Sequence, residues 1–180
     1  MLPGEEILSK SLILPIKSNE KLKQAIPFAL EDDIASGIDD CHFAFEKSEI
    51  DESIIVNVID RKLFKNYLNQ LKEINISPSF VVSENSCVYK TEDTINLIIE
   101  DAKAHGRCGY KEPYTLDIMD LSNTIKALES NNNINHLQIS LSKNNDSLVK
   151  QISELADTYK SVDTKILSKG AFQEFIKNYF

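Results

Sequence analysis

A chain of 180 residues is long enough for one domain or two small lobes with a real hydrophobic core. Its net charge of −8, from 28 acidic and 20 basic residues, argues against a nucleic-acid binder and against a surface that holds anionic lipid, since both need clustered Lys and Arg. The three cysteines share no spacing pattern, which predicts reduced thiols. The chain opens with no signal peptide and contains no apolar run of about 18 residues. These features predict a soluble cytoplasmic chain with no membrane contact of its own.

The first half of the chain has the pattern of a β-α-β-β-α-β lobe. The predicted elements are a strand in Glu6–Pro15, a helix from Ser18 or Asn19 to about Ser36, strands in 41–47 and 52–60, a helix from Arg61 to about Asn75, and a strand or extended segment in 76–83. Pro27 lies inside the first helical pattern, where it predicts either a kink or a helix that properly begins at the proline. Asp60 is the predicted N-cap of the second helix, which carries the clearest apolar stripe of the sequence.

The second half repeats this type of layout in the order β-β-α-β-α. The predicted elements are strands in 94–101 and 102–110 joined by a turn, a helix with Asp117 at its N-cap, a strand in 137–142, and an amphipathic helix in 144–161. The final "GAFQEFIKNYF" predicts one more amphipathic helix, which either packs on its own lobe or leads to a membrane anchor. We therefore expect two α/β lobes, 1–90 and 91–180.

Motifs that would carry chemistry are scarce. The chain has five glycines and neither a GxGxxG nor a GxxxxGK[ST] loop, which argues against the common phosphate-binding turns. His105 and Cys108 stand three apart, but on a strand they point to opposite faces and are poor joint metal ligands. His42 beside two phenylalanines fits a packed or surface histidine. We predict no catalytic, cofactor-binding or metal site and interpret the chain as a non-enzyme.

One acidic segment stands out after the proline helix. It contains the five carboxylates Glu31, Asp32, Asp33, Asp39 and Asp40. Their offsets do not match an EF-hand loop, so a calcium site of that type is excluded. They form either a solvated rim or a patch that steers a basic partner surface.

Three segments of the first half together resemble one family, the cytoplasmic domain of type II secretion system protein L. They are "LPGEEILSKSLILP" (2–15), "QAIPFALEDDIASGIDDCHFAF" (24–45) and "VIDRKLFKNYLNQLKEINISPSFVVSE" (58–84). In the family, the first segment is a Pro-Gly-Glu turn followed by a strand. The second is a helix that contains Pro-Phe and ends in two acidic residues. The third is a strand followed by Asp-Arg and a long helix. In the second half, Ile166, Leu167, Gly170 and Phe172 match a segment that precedes the family's transmembrane helix.

The resemblance implies a two-lobed, partial actin-like ATPase (ribonuclease H-like) fold on the cytoplasmic side of the bacterial inner membrane. It also implies a scaffold that recruits the secretion ATPase, protein E, through that protein's N-terminal domain, and that pairs with platform protein M and with itself in the full-length protein. The five carboxylates are assigned to partner binding from their charge, not from the family.

Two other functions stay open at this point. A nucleotide-binding actin-like regulatory module would place phosphate near Asp101 in the hairpin "EDAKAHG", which lacks the glycine that allows a close approach. A sheet left with an exposed edge could instead pair with a second copy of the chain.

Overall fold

The computed structural model describes residues 1–48, 50–129, 134–143, 146–155, 158–168 and 170–179. The chain divides into two compact units. The first unit comprises Leu2 and Glu6–Val81, and the second unit comprises Met1, Pro3–Glu5 and Val82–Phe180.

The first unit consists of three strands and two helices. They are β1 (Leu8–Ile13), α1 (Asn19–Ala29), β2 (Cys41–Lys47), β3 (Ser53–Asp60) and α2 (Arg61–Glu73). The strands form an antiparallel sheet in the order β1-β3-β2, with Phe43 opposite Val58 and Ser11 opposite Ile55. β3 is therefore central, as its run of apolar residues predicts, and is buried along nearly its whole length.

The core of the first unit lies between α1 and the sheet. Leu22, Ile26 and Leu30 repeat at helical spacing and are completely or almost completely buried against Val56 and Val58 of β3. α2 contacts β3 and β2. Its apolar stripe is half-buried at most, and Ile74 at its end is 64% exposed.

The end of α1 differs from the prediction. The helix stops at Ala29, seven residues before Ser36, and the chain continues through short 3-10 turns at Glu31–Asp33 and Ile38–Asp40. Pro27 lies inside the helix, so the alternative that the helix begins at the proline is wrong. The carboxylates that follow favour an end at this point, because negative charge is unfavourable beside the partial negative charge of a helix C-terminus.

The second unit consists of five strands and three helices. They are β4 (Thr94–Glu100), β5 (Lys103–Cys108), β6 (Pro113–Asp117), α3 (Leu121–Glu129), β7 (His136–Leu141), α4 (Asp146–Leu155), β8 (Ser161–Ile166) and α5 (Ala171–Tyr179). The sheet order is β6-β5-β4-β7-β8. β4, β5 and β6 pair antiparallel as consecutive hairpins, whereas β4, β7 and β8 are parallel and are joined through α3 and α4.

Helices cover both faces of this sheet. Ile95, Leu97 and Ile99 of β4 point to the core that includes Ile125 of α3 and Ile152 of α4. The opposite face, where Ile98 lies, is covered in part by α5 through its buried Ala171 and Phe175. The arrangement is a three-layer α/β unit.

Two strands of the second unit are absent from the sequence-based prediction. β6 has no clear strand pattern in the sequence. It begins at Pro113, follows the charged Glu112, and contains Leu116 as its one aliphatic residue. β8 has the sequence SVDTKI, whose charged residues alternate with Val162, Thr164 and Ile166 at an exposed sheet edge. Asp117 ends β6 instead of capping a helix directly. In the described structure its side chain makes no capping hydrogen bond to the 3-10 turn Ile118–Asp120 that follows.

The contact pattern assigns residues 82–90 to the second unit, whereas the sequence places a division after residue 90. The reason is that Cys87 and Val88 are buried with Leu167 and Phe175 on the face under α5. All three cysteines are buried, as expected, and within the described residues none of them forms a disulfide.

Candidate functional site

The five predicted carboxylates all lie on the surface of the first unit. Glu31, Asp32 and Asp33 share the 3-10 turn that follows α1, and Asp39 and Asp40 share the turn that leads into β2. All five residues are exposed. Asp33 accepts a hydrogen bond from the ammonium of Lys10 at 2.7 Å, and this exposed ion pair neutralises part of the charge. The structure thus groups the five residues into two adjacent turns at one end of α1.

A groove of about 880 Å³ adjoins these turns in the first unit. Its walls come from the second half of α1 and from β2, and its lining residues include Lys23, Pro27, Phe28, Ile38, Asp39, His42, Phe43, Phe45 and Arg61. Phe28 is 68% exposed, so the groove offers a large apolar side chain for contact. Of the five carboxylates predicted to bind a partner, Asp39 lines the groove. The acidic segment and the groove therefore form a continuous surface.

Strand β2 forms an edge of the three-stranded sheet in the described part of the chain. Edge strands present unpaired N–H and C=O groups to which an extended segment of another chain can add. At the start of β2, Arg61 donates from its Nη2 atom to the carbonyl oxygen of Cys41 at 2.7 Å, which covers this end of the edge.

His42 lies beside the groove on β2. Its ring stacks on Phe64 of α2, with 4.6 Å between ring centroids and 26° between planes. Burial in this stack lowers the pKa of His42, and the positive charge of Arg61 lowers it further. His42 is therefore an exposed side chain whose ring stacks on Phe64 and is neutral at neutral pH, which fits the surface alternative of the sequence-based interpretation.

The groove combines an apolar floor with charges of both signs. Phe43 and Phe45 supply apolar surface, while Lys23 and Arg61 oppose the carboxylates of the adjoining turns. Such a surface is typical of protein recognition, in which apolar contacts supply affinity and charges steer the encounter. In the described residues, no group of three His, Cys, Asp or Glu side chains is placed to hold a metal ion.

The hairpin that would hold phosphate in an active nucleotide site lies in the second unit, between β4 and β5. Asp101 occupies its turn with a φ of 50°, in the left-handed region, and is followed by Ala102. Its carboxylate accepts a hydrogen bond from the ammonium of Lys143 at 3.1 Å. A cation already pairs with this carboxylate, and the turn has no glycine to let a phosphate approach the backbone.

Sequence reasoning missed most residues of the groove. Phe28 lies within the first predicted helix without an assignment of its own, and Arg61 is predicted only as the first residue of α2. A signal existed for Phe28, because it falls outside the buried i, i+4 stripe of Leu22, Ile26 and Leu30. Arg61 carried no such signal, since its contact with Cys41 depends on the pairing of β2 with β3.

Comparison with solved structures defines the class of fold. The chain is similar to the cytoplasmic domain of EpsL, an inner-membrane component of the type II secretion system of Vibrio cholerae, with a TM-score of 0.74, 16% identity, and coverage of 99% of this chain and 72% of that chain. It is also similar to a Bacteroides thetaiotaomicron protein of unknown function with an actin-like ATPase fold, with a TM-score of 0.52, 10% identity, and coverage of 97% and 71%. The predicted actin-like fold class is confirmed.

The family model of type II secretion system protein L matches residues 1–168, and the chain belongs to this family. It is 32% identical over 84 residues to protein L of Dickeya chrysanthemi, which covers 47% of this chain and 21% of that protein. It is 24% identical over 101 residues to protein L of Pectobacterium carotovorum subsp. carotovorum, which covers 56% and 24%. The matched regions thus span less than a quarter of these relatives. Family membership confirms the resemblance and gives the chain a role in type II secretion.

Within the residues that the structure describes, none of the helices has the length and apolar character needed to cross a bilayer.

Proposed function

We propose that the chain is a non-enzymatic cytoplasmic scaffold of the type II secretion inner-membrane platform. In this role it recruits the secretion ATPase, protein E, by binding that protein's N-terminal domain. The full-length protein is anchored in the inner membrane, contacts platform protein M and pairs with itself. The observation that carries the proposal is the continuous surface of the first unit, in which five exposed carboxylates adjoin a groove with the exposed Phe28.

The charge of this surface supports a basic partner. Four of the five carboxylates, all except Asp33, have no ion pair among the described residues. They would accelerate encounter with a basic face, and the groove would then bury apolar side chains of the partner. The proposal predicts salt-sensitive association together with an apolar contribution that salt does not remove.

The test is calorimetric binding of this chain to the N-terminal domain of its cognate secretion ATPase at two salt concentrations. We expect saturable binding that weakens at high salt. The double variant Asp39→Lys/Asp40→Lys should weaken the low-salt binding by about tenfold or more, because it turns attraction into repulsion. A control with the same charge change, Glu73→Lys/Glu92→Lys, replaces two exposed carboxylates outside the acidic segment and should bind as the parent does.

The groove is tested separately by Phe28→Asp. The side chain is 68% exposed, so this change should leave the fold intact while weakening the binding at both salt concentrations. If the parent chain does not bind the ATPase domain and instead takes up ATP in a parallel titration, the scaffold proposal is wrong and the nucleotide module replaces it.

A further inference from the structure

We propose that the partner enters the groove as an extended segment of about five residues, which adds to the edge of β2 as a fourth strand of the first unit's sheet. The inference rests on the proposed function, because the segment belongs to the N-terminal domain of the secretion ATPase. It goes further by naming the conformation of the bound segment, the backbone groups that hold it and the side chains that it needs.

The lining residues place the groove along the edge of the sheet and not over one of its faces. The consecutive β2 residues 41–45 all line it. Successive side chains of a strand point to opposite faces, so a groove above one face would be lined by alternate residues only. The edge of β2 is therefore the floor of the groove along about 16 Å, the length of five residues in a strand.

The two helices of the first unit stand on either side of this edge. Phe43 and Phe45 pack with the core cluster under α1, whereas His42, which lies between Cys41 and Phe43, stacks on Phe64 of α2. α1 and α2 therefore lie on opposite faces of the sheet. A segment that enters between them meets the backbone of β2 first, as strand addition requires.

The strand register identifies the backbone groups of β2 that point into the groove. The N–H of Ser48 donates to the carbonyl oxygen of Ser53 at 2.9 Å, so these two residues form a hydrogen-bonded pair. In an antiparallel ladder, such pairs alternate with pairs that do not bond to each other. Counted from Ser48, Phe43 and Phe45 belong to the second kind, and their N–H and C=O groups point away from β3.

These four outward groups are open to a partner. In the part of the chain that the structure describes, none of them has a hydrogen bond. The next outward carbonyl, that of Cys41, already accepts from Arg61, which ends the open stretch on that side. An added strand would exchange about four hydrogen bonds with Phe43 and Phe45, and main-chain bonds of this kind supply affinity in strand addition.

The surrounding side chains select the sequence of the bound segment. Alternate residues of the segment would face Phe28, which is 68% exposed, and the half-buried rings of Phe43 and Phe45, so we expect them to be apolar. The residues between them would face the side of His42 and Arg61, and we expect those to be polar.

Charge fixes what the segment carries at one end. Asp39 and Asp40 directly precede β2 and are exposed, and among the described residues neither has an ion pair. A Lys or Arg where the segment passes the start of β2 would complement them and set its register. The fitting occupant is thus an extended segment with alternate apolar residues and a basic residue at one end.

The experiment is hydrogen–deuterium exchange of the ¹⁵N-labelled chain, followed by NMR with and without a saturating amount of the ATPase N-terminal domain. We expect the N–H groups of Phe43 and Phe45 to exchange more slowly in the complex by about tenfold or more, because they donate to the added strand. Ser9 and Ser11 are matched controls, since the same alternation points their N–H groups away from β3 at the other edge of the sheet. Their exchange should stay the same.

Two replacements of Phe45 isolate the role of its N–H group. Phe45→Pro and Phe45→Ala both remove the ring, but proline also removes the outward N–H, and an edge strand tolerates proline at such a position. Phe45→Pro should therefore bind the ATPase domain about tenfold more weakly than Phe45→Ala. If the proline variant does not fold, exchange at Phe43 and Phe45 in the parent chain decides alone.

The outcomes separate strand addition from the proposed function. If the ATPase domain does not bind at all, the proposed function is wrong and strand addition falls with it. If it binds while exchange at Phe43 and Phe45 is unchanged, or slows equally at Ser9 and Ser11, the function stands and strand addition is overturned, as for a helix lying in the groove. Equal affinities of the two Phe45 variants overturn it as well. Slower exchange of the two amides on raising the chain concentration alone would assign the groove to a second copy instead.

Discussion

Asp60 illustrates how one side chain joins two elements of the first unit. It is the last residue of β3, and its Oδ1 accepts from the backbone N–H of Leu63 at 2.8 Å, which satisfies one of the free donors of α2. This cap was predicted from the sequence and is confirmed. Ser18 precedes α1 in the position expected of a cap, but the structure shows no capping hydrogen bond from its side chain.

The first prediction concerns this cap. Asp60→Ala should lower the free energy of unfolding by about 1 kcal/mol, because a backbone donor at the start of α2 loses its partner. Urea unfolding monitored by far-UV circular dichroism measures the change. Asp60→Asn keeps an acceptor oxygen and should cost much less; equal losses for both variants would show that the cap does not act through this hydrogen bond.

His105 is the buried histidine of the second unit. It is 3% exposed, shares a hydrogen bond of 3.0 Å between Nδ1 and the Thr115 hydroxyl, and packs edge-on against Phe175. Burial lowers its pKa below the ordinary 6.5, although the negative charges of Glu5 and Glu100 oppose that shift and Lys103 adds to it. The unfolded chain therefore binds a proton at this residue more readily than the folded chain.

The second prediction follows from that sign. The contribution of His105 to stability is fully present above pH 6.5 and is lost as the pH falls from 6.5 through the lower folded pKa. His105→Gln should flatten the decline in stability between about pH 6.5 and 5, whatever its effect at pH 7.5. Urea unfolding at several pH values measures this slope. His42, whose pKa is also lowered, is replaced by Gln in both proteins so that its titration does not contribute; an unchanged slope would contradict the assignment.

At the scale of elements, β5 depends on a glycine for its packing. A Cβ atom placed on Gly106 would overlap the ring of Tyr114 and would lie 2.7 Å from Cδ2 of Leu97. Tyr114 stands opposite Gly106 in β6, so the side chain of one strand fills the space that the other leaves. The pattern is a size match between neighbouring strands.

The third prediction tests this match. Gly106→Ala should destabilise the protein by about 1–3 kcal/mol through overpacking. Gly37→Ala is a suitable control, because its Cβ would meet nothing closer than 3.8 Å and its φ is −64°. Thermal unfolding of the two variants against the parent measures the difference; a Gly106→Ala protein that melts with the parent would show that Tyr114 relocates freely.

α1 shows where element boundaries depart from sequence patterns. The apolar spacing that begins at Leu22 continues past Leu30 to Ile34, and it predicts a longer helix. The backbone N–H of Leu30 is shared between the carbonyls of Ile26 and Pro27, as is common at a helix terminus, and the helix ends at Ala29. Periodicity reports which residues face the core, whereas hydrogen bonding and the helix dipole decide where the helix stops.

At the scale of the whole molecule, the boundary between the two units lies earlier in the chain than the sequence predicts. The sequence predicts a division between 90 and 91. Residues 82–90 bring Cys87 and Val88, which are 2% and 3% exposed, into the cluster beneath α5. Removal of these residues would expose Ile98 and Phe175.

The fourth prediction compares two shortened chains. A chain of residues 82–180 should unfold cooperatively and at a higher temperature than a chain of residues 91–180, since the shorter chain lacks part of that cluster. Both lack the contact of Gly4 with Glu84, so this loss is common to them. Thermal unfolding by circular dichroism measures the difference, and equal melting temperatures would favour the division after residue 90.

The central strands and the amphipathic helices could be predicted from the sequence, because the spacing of apolar residues within each segment is enough to indicate them. β3 and the second half of β4 are runs of apolar residues, β7 alternates apolar with polar residues, and α2 and α4 repeat at helical spacing. It missed β6 and β8, whose residues are mixed in character because they lie at the two edges of their sheet. Their strand conformation comes from pairing with β5 and β7, which one sequence segment does not encode.

The sequence by itself determined the α/β class, the burial of the cysteines, the cap at Asp60 and, through three motifs of its first half, the family. These are local features, which residue type and spacing within one segment are enough to predict. Only the tertiary structure decided that the acidic turns adjoin a groove and that Asn96 and Asn178 line one cavity. Residues 82 positions apart meet there because parallel pairing of β4 and β7 and the return of α5 bring them together. Such distant contacts depend on the chain's whole path, so they become visible only once the fold is known.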